Sequence, residues 1–311
     1  MSSISALLIQ MAYGIPSITL YITVIVVVLL PRNATLFGHS FYYLFALVGV
    51  SQCTFYISNV VAFRLPLYDE FFFMFKHLLT TEEKQENVVF AKVFFFLGFY
   101  TNSQQVIGQC FIALNRFTAI TFPGMHHRIW KDVFPISVAS ILIFPFGLTW
   151  HLLPNNVFIY NSSVYGAIVI DYKKIKYIST SFNMTTLFFT MSIVCLVLNV
   201  SGMAIFIFRR RSLKISTGKV EWNLFTLACF MFAFSTISGA YYVFIYFEFT
   251  AQIYFVHEWI TDISVLMTPY LLLFASSKVR EAIFPCIRKF SKFRLNMSPA
   301  TVEVRPFSPK A

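Results

Sequence analysis

Charged residues are scarce in this sequence. Asp, Glu, Lys and Arg make up 12% of its 311 residues, whereas 58% are hydrophobic and 39 are Phe. Soluble domains carry roughly 25% charged residues, so this chain has too little polar surface for a soluble globule. The composition therefore predicts a polytopic membrane protein. The net charge of +11 then reflects basic cytoplasmic loops, and we expect no nucleic-acid partner.

Cysteine is absent from the loops between the apolar stretches. Four of the five cysteines lie inside such stretches: Cys53, Cys110, Cys195 and Cys229. This distribution argues against an extracellular disulfide framework or a zinc site, and we expect no metal and no cofactor. The chain also has no basic segment before its first apolar stretch, so no cleaved signal peptide is expected. No paired acids or histidine clusters lie in mid-stretch, which argues against an enzyme.

Seven apolar stretches are long enough to cross a bilayer as helices, which takes about 20 residues each. They are Met11–Leu30, Phe41–Phe63, Val89–Leu114, Val133–Leu153, Phe182–Phe208, Trp222–Phe247 and Ile253–Phe274. We predict an all-α membrane protein with a seven-transmembrane helix bundle. Residues 1–10 form a short extracellular N-terminus, 11–275 the transmembrane domain and 276–311 a cytoplasmic tail.

The distribution of basic residues sets the predicted orientation. If the N-terminus is outside, most of the 24 lysines and arginines fall in cytoplasmic segments, in accordance with the positive-inside rule. Five acidic residues cluster in the first outside loop, at positions 69–86. In a later outside loop, Asn161-Ser-Ser163 matches the N-glycosylation pattern.

One face of the third span is polar. Asn102, Gln105, Gln109 and Arg116 fall at relative positions 0, 3, 7 and 14, which share one side of a helix. Amides are costly against lipid, so this face should point into the bundle. Two interpretations remain open: interhelical hydrogen bonding, or a polar track between an outer ligand pocket and Arg116.

Arg116 is expected to mark the point where the third span leaves the bilayer, because a guanidinium is costly in hydrocarbon. The alternative is an arginine that simply anchors the helix end by reaching the interface. The loop that follows is basic, with Arg128 within it. His126 and His127 are interpreted as solvated loop residues.

Glu258 and Asp262 interrupt the first half of the seventh span. They either form an interfacial turn that faces water, or line an outer pocket as an acidic wall. In the second case Trp259, Tyr241 and Tyr242 are apolar or cation–π partners.

Basic segments follow the fifth and seventh spans, at 209–219 and 278–294. Both suit attraction to the inner leaflet. Residues 277–288 carry apolar side chains at four-residue spacing among basic ones, which predicts a short interfacial helix interrupted by Pro285. Cys286, just beyond the last span, is a candidate for palmitoylation, with a free thiol as the alternative.

The run Leu-Asn-Arg-Phe-Thr-Ala-Ile-x-Phe-Pro at 114–123, with Arg-Ile-Trp at 128–130, resembles nematode serpentine chemoreceptors of the Srg superfamily. The Srv branch is the most similar and Srg itself the next. The resemblance covers all seven spans and implies a rhodopsin-like receptor on the plasma membrane of chemosensory neurons. It also implies a heterotrimeric G protein as partner and a small-molecule ligand, an odorant or a pheromone.

The same resemblance assigns a G-protein-coupling surface at the cytoplasmic mouth. Its predicted members are Asn115, Arg116, Phe117, Pro123, Arg128, Arg209, Arg210 and Arg211. Many such receptors carry an acidic residue where Asn115 stands, so the usual carboxylate–arginine pair is impossible here. In the seventh span, Pro269 and Tyr270 occupy the region of the usual activation hinge.

These observations predict a G-protein-coupled chemosensory receptor whose ligand binds in the outer bundle. A membrane transporter or a ligand-gated channel is the alternative. Such proteins usually show inverted repeats, broken spans or charges at mid-bilayer, and the sequence shows none of these by inspection.

Overall fold

A computed structural model describes residues 4–33, 37–79, 88–162, 167–173, 180–213, 219–247 and 251–284. Its long helices are α1 (Ile4–Leu29), α2 (Ser40–Asn59), α3 (Val89–Thr121), α4 (His126–Thr149), α5 (Thr180–Leu213), α6 (Lys219–Phe247) and α7 (Ala251–Ala275). A short helix, α8 (Ser277–Ile283), follows α7. The predicted all-α seven-helix bundle is confirmed.

Six of the long helices in the described part of the chain are apolar enough to cross a membrane by length and composition. The helix outside that group is α3, because it carries a nearly continuous polar run at Thr101–Gln105 and an arginine. At 33 residues it is about 50 Å long. It packs against α2, α4, α5 and α6, so its neighbours shield these polar groups from lipid. The most polar helix is therefore also the central one.

A close approach between α2 and α3 depends on one glycine. A Cβ atom at Gly108 would lie 2.2 Å from Cγ2 of Val48 on α2. Small residues allow membrane helices to pack backbone to backbone. Gly147 on α4 has nothing within 4 Å of the same position, which makes it a natural comparison.

A β-hairpin covers one end of the bundle. Strands β1 (Val157–Ser162) and β2 (Ala167–Tyr172) pair antiparallel, with Val157 opposite Tyr172. The backbone N–H of Val88, just before α3, donates to the carbonyl of Val157 at 2.8 Å. Buried side chains of both strands pack against Phe95 and Ala91 of α3. We call this the hairpin end, and the opposite end, where α3 finishes, the Arg116 end.

Several helices extend beyond the predicted apolar stretches. α1 begins at Ile4, inside the segment assigned to the N-terminus. α3 continues to Thr121, so Arg116 lies inside the helix and not at its end. α4 begins at His126, which is half-buried with Nδ1 3.3 Å from the hydroxyl of Thr118. His126 is therefore not a solvated loop residue.

The short irregular segments complete the architecture. α2 continues as a π-helical turn at Val60–Arg64, and 3-10 turns lie at Pro31–Asn33, Leu65–Leu67, Asp69–Phe71, Lys76–Leu78 and Trp150–Leu152. One four-residue helical turn lies at Phe72–Phe75. π turns are rare and occur frequently at functional sites, and the one after α2 carries Arg64.

Candidate functional site

The polar face of α3 points into the bundle, as predicted. Asn102 and Gln105 are buried and Gln109 is partly buried. The amide nitrogen of Gln105 donates to Oδ1 of Asn102 at 2.5 Å. These two residues are one helical turn apart, so this hydrogen bond lies within α3 and does not join it to another helix.

A small cavity lies beside this face. Its lining comes from α2, α3, α5, α6 and α7 and consists of Phe55, Asn102, Gln105, Val106, Gln109, Phe188, Ser238, Thr261 and Ser264. The space open to the centre of a water molecule is about 10 Å³, which is room for about one water. A larger ligand therefore requires the lining side chains to move.

The cavity brings together the three predicted α3 residues and several that the sequence analysis missed. Ser238 of α6 and both Thr261 and Ser264 of α7 are the missed polar members. A signal for two of them was present, since Thr261, Ser264 and Thr268 repeat the 0, 3, 7 spacing of the α3 stripe.

A buried charged cluster lies towards the hairpin end. Arg64, on the π turn, donates from Nε to Oε2 of Glu258 at 2.5 Å. Its Nη1 donates to Oδ2 of Asp262 at 2.9 Å and its Nη2 donates to Oδ1 of the same carboxylate. Such a bidentate geometry is the strongest form of arginine–carboxylate pairing. The cluster ties the end of α2 to α7.

Two tyrosines complete the cluster. The hydroxyl of Tyr13 on α1 donates to Oδ2 of Asp262, and the guanidinium of Arg64 lies 5.3 Å from the ring centre of Tyr56. Arg64 and Asp262 are each 1% exposed. Of the two interpretations of Glu258 and Asp262, the interfacial turn that faces water is therefore wrong, because both carboxylates are buried and paired with an arginine.

The aromatic residues predicted beside Asp262 have different surroundings. Trp259 is largely exposed, and its ring packs 5.9 Å from that of Tyr13. Tyr241 is partly buried on α6. Tyr242 also lies on α6, but its side chain is outside the described residues. Asp262, Trp259 and Tyr241 are not among the described residues that line the cavity.

Hydrogen bonds between α1, α2 and α7 lie near the predicted hinge. Pro269 is buried and lies inside α7, which continues on both sides of it. The residue before it, Thr268, accepts at 3.5 Å from the amide of Gln52. The residue after it, Tyr270, has its hydroxyl 3.0 Å from that of Ser17. The side chains on both sides of the proline therefore bond to neighbouring helices.

At the Arg116 end, Arg116 is held within the bundle at 7% exposure. Its Nη2 donates to Oδ1 of Asn115, and its guanidinium lies 4.2 Å from the ring centre of Phe41 on α2. Asn115 in turn donates to the hydroxyl of Ser40 at 2.8 Å. A neutral amide and an aromatic face thus occupy the place of the absent acid.

A residue of α5 contacts the end of α3 beside Arg116. Arg209 donates to the carbonyls of Ile120 and Thr121, at 2.6 and 2.8 Å, and so caps the last turn of α3. Phe117 is partly buried, whereas Pro123 and Arg128 are exposed. Arg210 and Arg211 continue α5, with side chains outside the described residues.

The predicted modification sites are less informative. Asn161 lies in β1, opposite Ile168, and its side chain is outside the described residues, as is all of Cys286. In the described part of the chain, Cys53, Cys110, Cys195 and Cys229 are free thiols. No group of three or more His, Cys, Asp or Glu side chains that could hold a metal ion occurs among the described residues.

Comparison with known proteins identifies relatives that match most of this chain. The family model described as Srg family chemoreceptor matches residues 7–283. Serpentine receptor class gamma-5 of Caenorhabditis elegans is 23% identical over 294 residues, which cover 89% of this chain and 84% of that protein. Class gamma-14 of the same organism is 23% identical over 288 residues, covering 90% and 84%. Class gamma-15 is 26% identical over 167 residues, about half of each chain.

The family match spans nearly the whole chain and includes all seven long helices. Of the two branches that the sequence resembled, the match is to Srg. This chain is a multi-pass membrane protein that belongs to the Srg family of chemoreceptors.

Proposed function

We propose that this chain is a G-protein-coupled chemosensory receptor. A small molecule binds in the cavity beside α3, and a heterotrimeric G protein is activated at the Arg116 end. Membership of a chemoreceptor family supports the role as a chemosensory receptor. The ligand site and the coupling surface are inferred from the contacts along α3.

The observation that carries it is the arrangement of polar groups along α3. Gln109 lines the cavity, and Arg116 is seven residues further on, about 10 Å along the helix axis. Both lie on the same face of the most central helix. A change in the cavity that rotates or shifts α3 therefore acts directly on the contacts of Arg116 with Asn115 and Phe41.

The mechanism is a population shift between two packings of the bundle. The resting packing holds Arg116 over Phe41 and caps α3 with Arg209. The active packing releases Arg116 towards a cytoplasmic opening, with Pro269 in α7 as the hinge. Pro123 and Arg128, which are already exposed, extend the coupling surface.

The proposal also gives the orientation of the chain in the membrane, its location in the cell and its modification sites. The hairpin end faces outside and the Arg116 end faces the cytoplasm, at the plasma membrane of a sensory neuron. Asn161 is then available for glycosylation on the outside and Cys286 for palmitoylation on the inside. Helix α8 lies along the inner leaflet.

The experiment compares Arg116→Ala with the unchanged chain in cells that report calcium or cyclic nucleotide during a small-molecule screen. Surface expression is measured for each variant. We expect loss of signalling at normal surface expression, with Arg116→Lys partly active and the exposed control Arg32→Ala unchanged. Full signalling by Arg116→Ala would refute the proposed role of Arg116 in coupling.

A channel or transporter remains the second candidate from the sequence. Patch-clamp recording on the same cells separates the two. A ligand-gated current that persists when G proteins are inhibited decides for the channel.

A further inference from the structure

We infer that the cavity beside α3 takes the hydroxyl, amide or carbonyl group of a small uncharged molecule, and that it selects against charged ligands. This inference rests on the proposed function only in taking the cavity as the ligand site. It names the chemical class that the site accepts.

Among the described residues, the cavity lining is largely polar and carries no charge. Six of the nine lining residues are amides or hydroxyls, and the remaining three are Phe55, Val106 and Phe188. The site therefore offers hydrogen bonds on one side and an apolar wall on the other. Pockets of this composition orient a ligand through a few polar groups while apolar contacts bury its body.

Three of these polar groups have unused hydrogen-bonding capacity. The hydroxyl of Ser238, a residue that is 6% exposed, has no hydrogen-bond partner among the described residues. Within the same part of the chain, the Gln109 side chain makes no hydrogen bond either. Gln105 uses one of its two amide hydrogens on Asn102. Buried polar groups are normally satisfied, so these groups indicate the position of a missing partner.

The nearest carboxylate is already engaged. Asp262 follows the lining residue Thr261 directly, but both of its oxygens accept from Arg64. Asp262 is also 1% exposed, so a cationic ligand in the cavity would have to open this buried cluster to pair with that carboxylate. An anionic ligand would enter a site whose described lining residues offer no positive charge. Burial of an unpaired charge is far more costly than burial of a hydrogen-bonded neutral group, so the cavity favours the neutral class.

The test measures binding to the full-length purified chain in detergent by thermal shift. The probes share one carbon skeleton: 2-phenylethanol, phenylacetamide, 2-phenylethylammonium and phenylacetate, each up to 10 mM. A phenyl group matches the walls formed by Phe55 and Phe188. We expect the alcohol or the amide to bind at least tenfold more tightly than both ions. Equal or tighter binding of either ion, or no binding by either neutral probe, overturns the inference.

Two variants place the binding in this cavity. Gln109→Glu changes the charge at constant shape and should move the preference towards 2-phenylethylammonium by at least tenfold. Ser238→Ala removes one hydrogen bond and should weaken the neutral probe about fivefold. The control Thr236→Ala lies on the same helix outside the lining and should change nothing. An unaltered preference in Gln109→Glu overturns the assignment to this cavity.

Failure of this inference is distinguishable from failure of the proposed function. Binding is measured without a G protein, so selective binding by a chain that never signals refutes only the receptor mechanism. Signalling in response to a charged agonist whose effect requires Gln109 refutes only the ligand class.

Discussion

Removal of the Arg64 side chain should destabilise the bundle strongly. Arg64 is the only described cation that pairs with Glu258 and Asp262, and all three side chains are buried. Arg64→Ala leaves two carboxylates in an apolar environment without their partner. Breaking a buried ion pair in this way typically costs about 3–5 kcal/mol, which corresponds to a loss on the order of 10 °C in melting temperature.

The measurement is thermal unfolding of the purified chain, together with its surface expression. Arg32→Ala is the matched control, because Arg32 is exposed and its removal should change the melting temperature by no more than about 1–2 °C. A second variant removes all three charges at once: Arg64→Leu with Glu258→Gln and Asp262→Asn. It should regain much of the loss, because no buried charge is left unpaired.

Two results would refute this reasoning. One is an Arg64→Ala chain as stable as Arg32→Ala, which would mean that water reaches the carboxylates. The other is a triple variant less stable than Arg64→Ala, which would mean that the ion pairs themselves hold α2 to α7 and that desolvation is a minor cost.

Three further predictions follow from single contacts. Gly108→Ala should cost about 1–3 kcal/mol, because its methyl group overlaps a side chain of α2, whereas Gly147→Ala should leave thermal unfolding unchanged; equal effects would contradict the packing. Asn115→Asp supplies the missing carboxylate beside Arg116 and should lower basal signalling at equal surface expression; a rise would show that this contact does not hold the resting state. Partial burial and neighbouring positive charges lower the pKa of His39. The unfolded state therefore binds a proton on this side chain more readily, and the free energy of unfolding decreases once the pH falls below about 6.5. His39→Gln should therefore lose less melting temperature between pH 7 and 5 than the unchanged chain, and parallel losses would contradict this.

The inward-facing stripe of α3 was predictable because helix geometry is local. The spacing of Asn102, Gln105 and Gln109 places them on one side of any helix. Because exposure of amides to lipid is costly, that side faces the interior of the bundle. The same logic applies to Thr261 and Ser264 on α7, which a search for this spacing finds without a structure.

The end of α3 was not predictable in the same way. A lone arginine in an apolar run predicts a membrane boundary, but it does not show how far the helix continues or which side chains contact the guanidinium. In the structure, Phe41 of the neighbouring helix and Asn115 receive the guanidinium, and Arg209 from α5 caps the helix five residues later. All but one of these partners are remote in sequence from Arg116.

The sequence by itself determined the membrane class, the number of long helices and the polar side of α3, because composition and periodicity depend on neighbouring residues alone. Only the tertiary structure decided the state of Glu258 and Asp262. Their partner Arg64 lies 194 and 198 positions away, and it meets them only because α2 and α7 pack side by side. No local sequence pattern predicts this contact. Only the structure shows that the two acids, which the sequence placed against water or a ligand, belong to a buried cluster with Arg64.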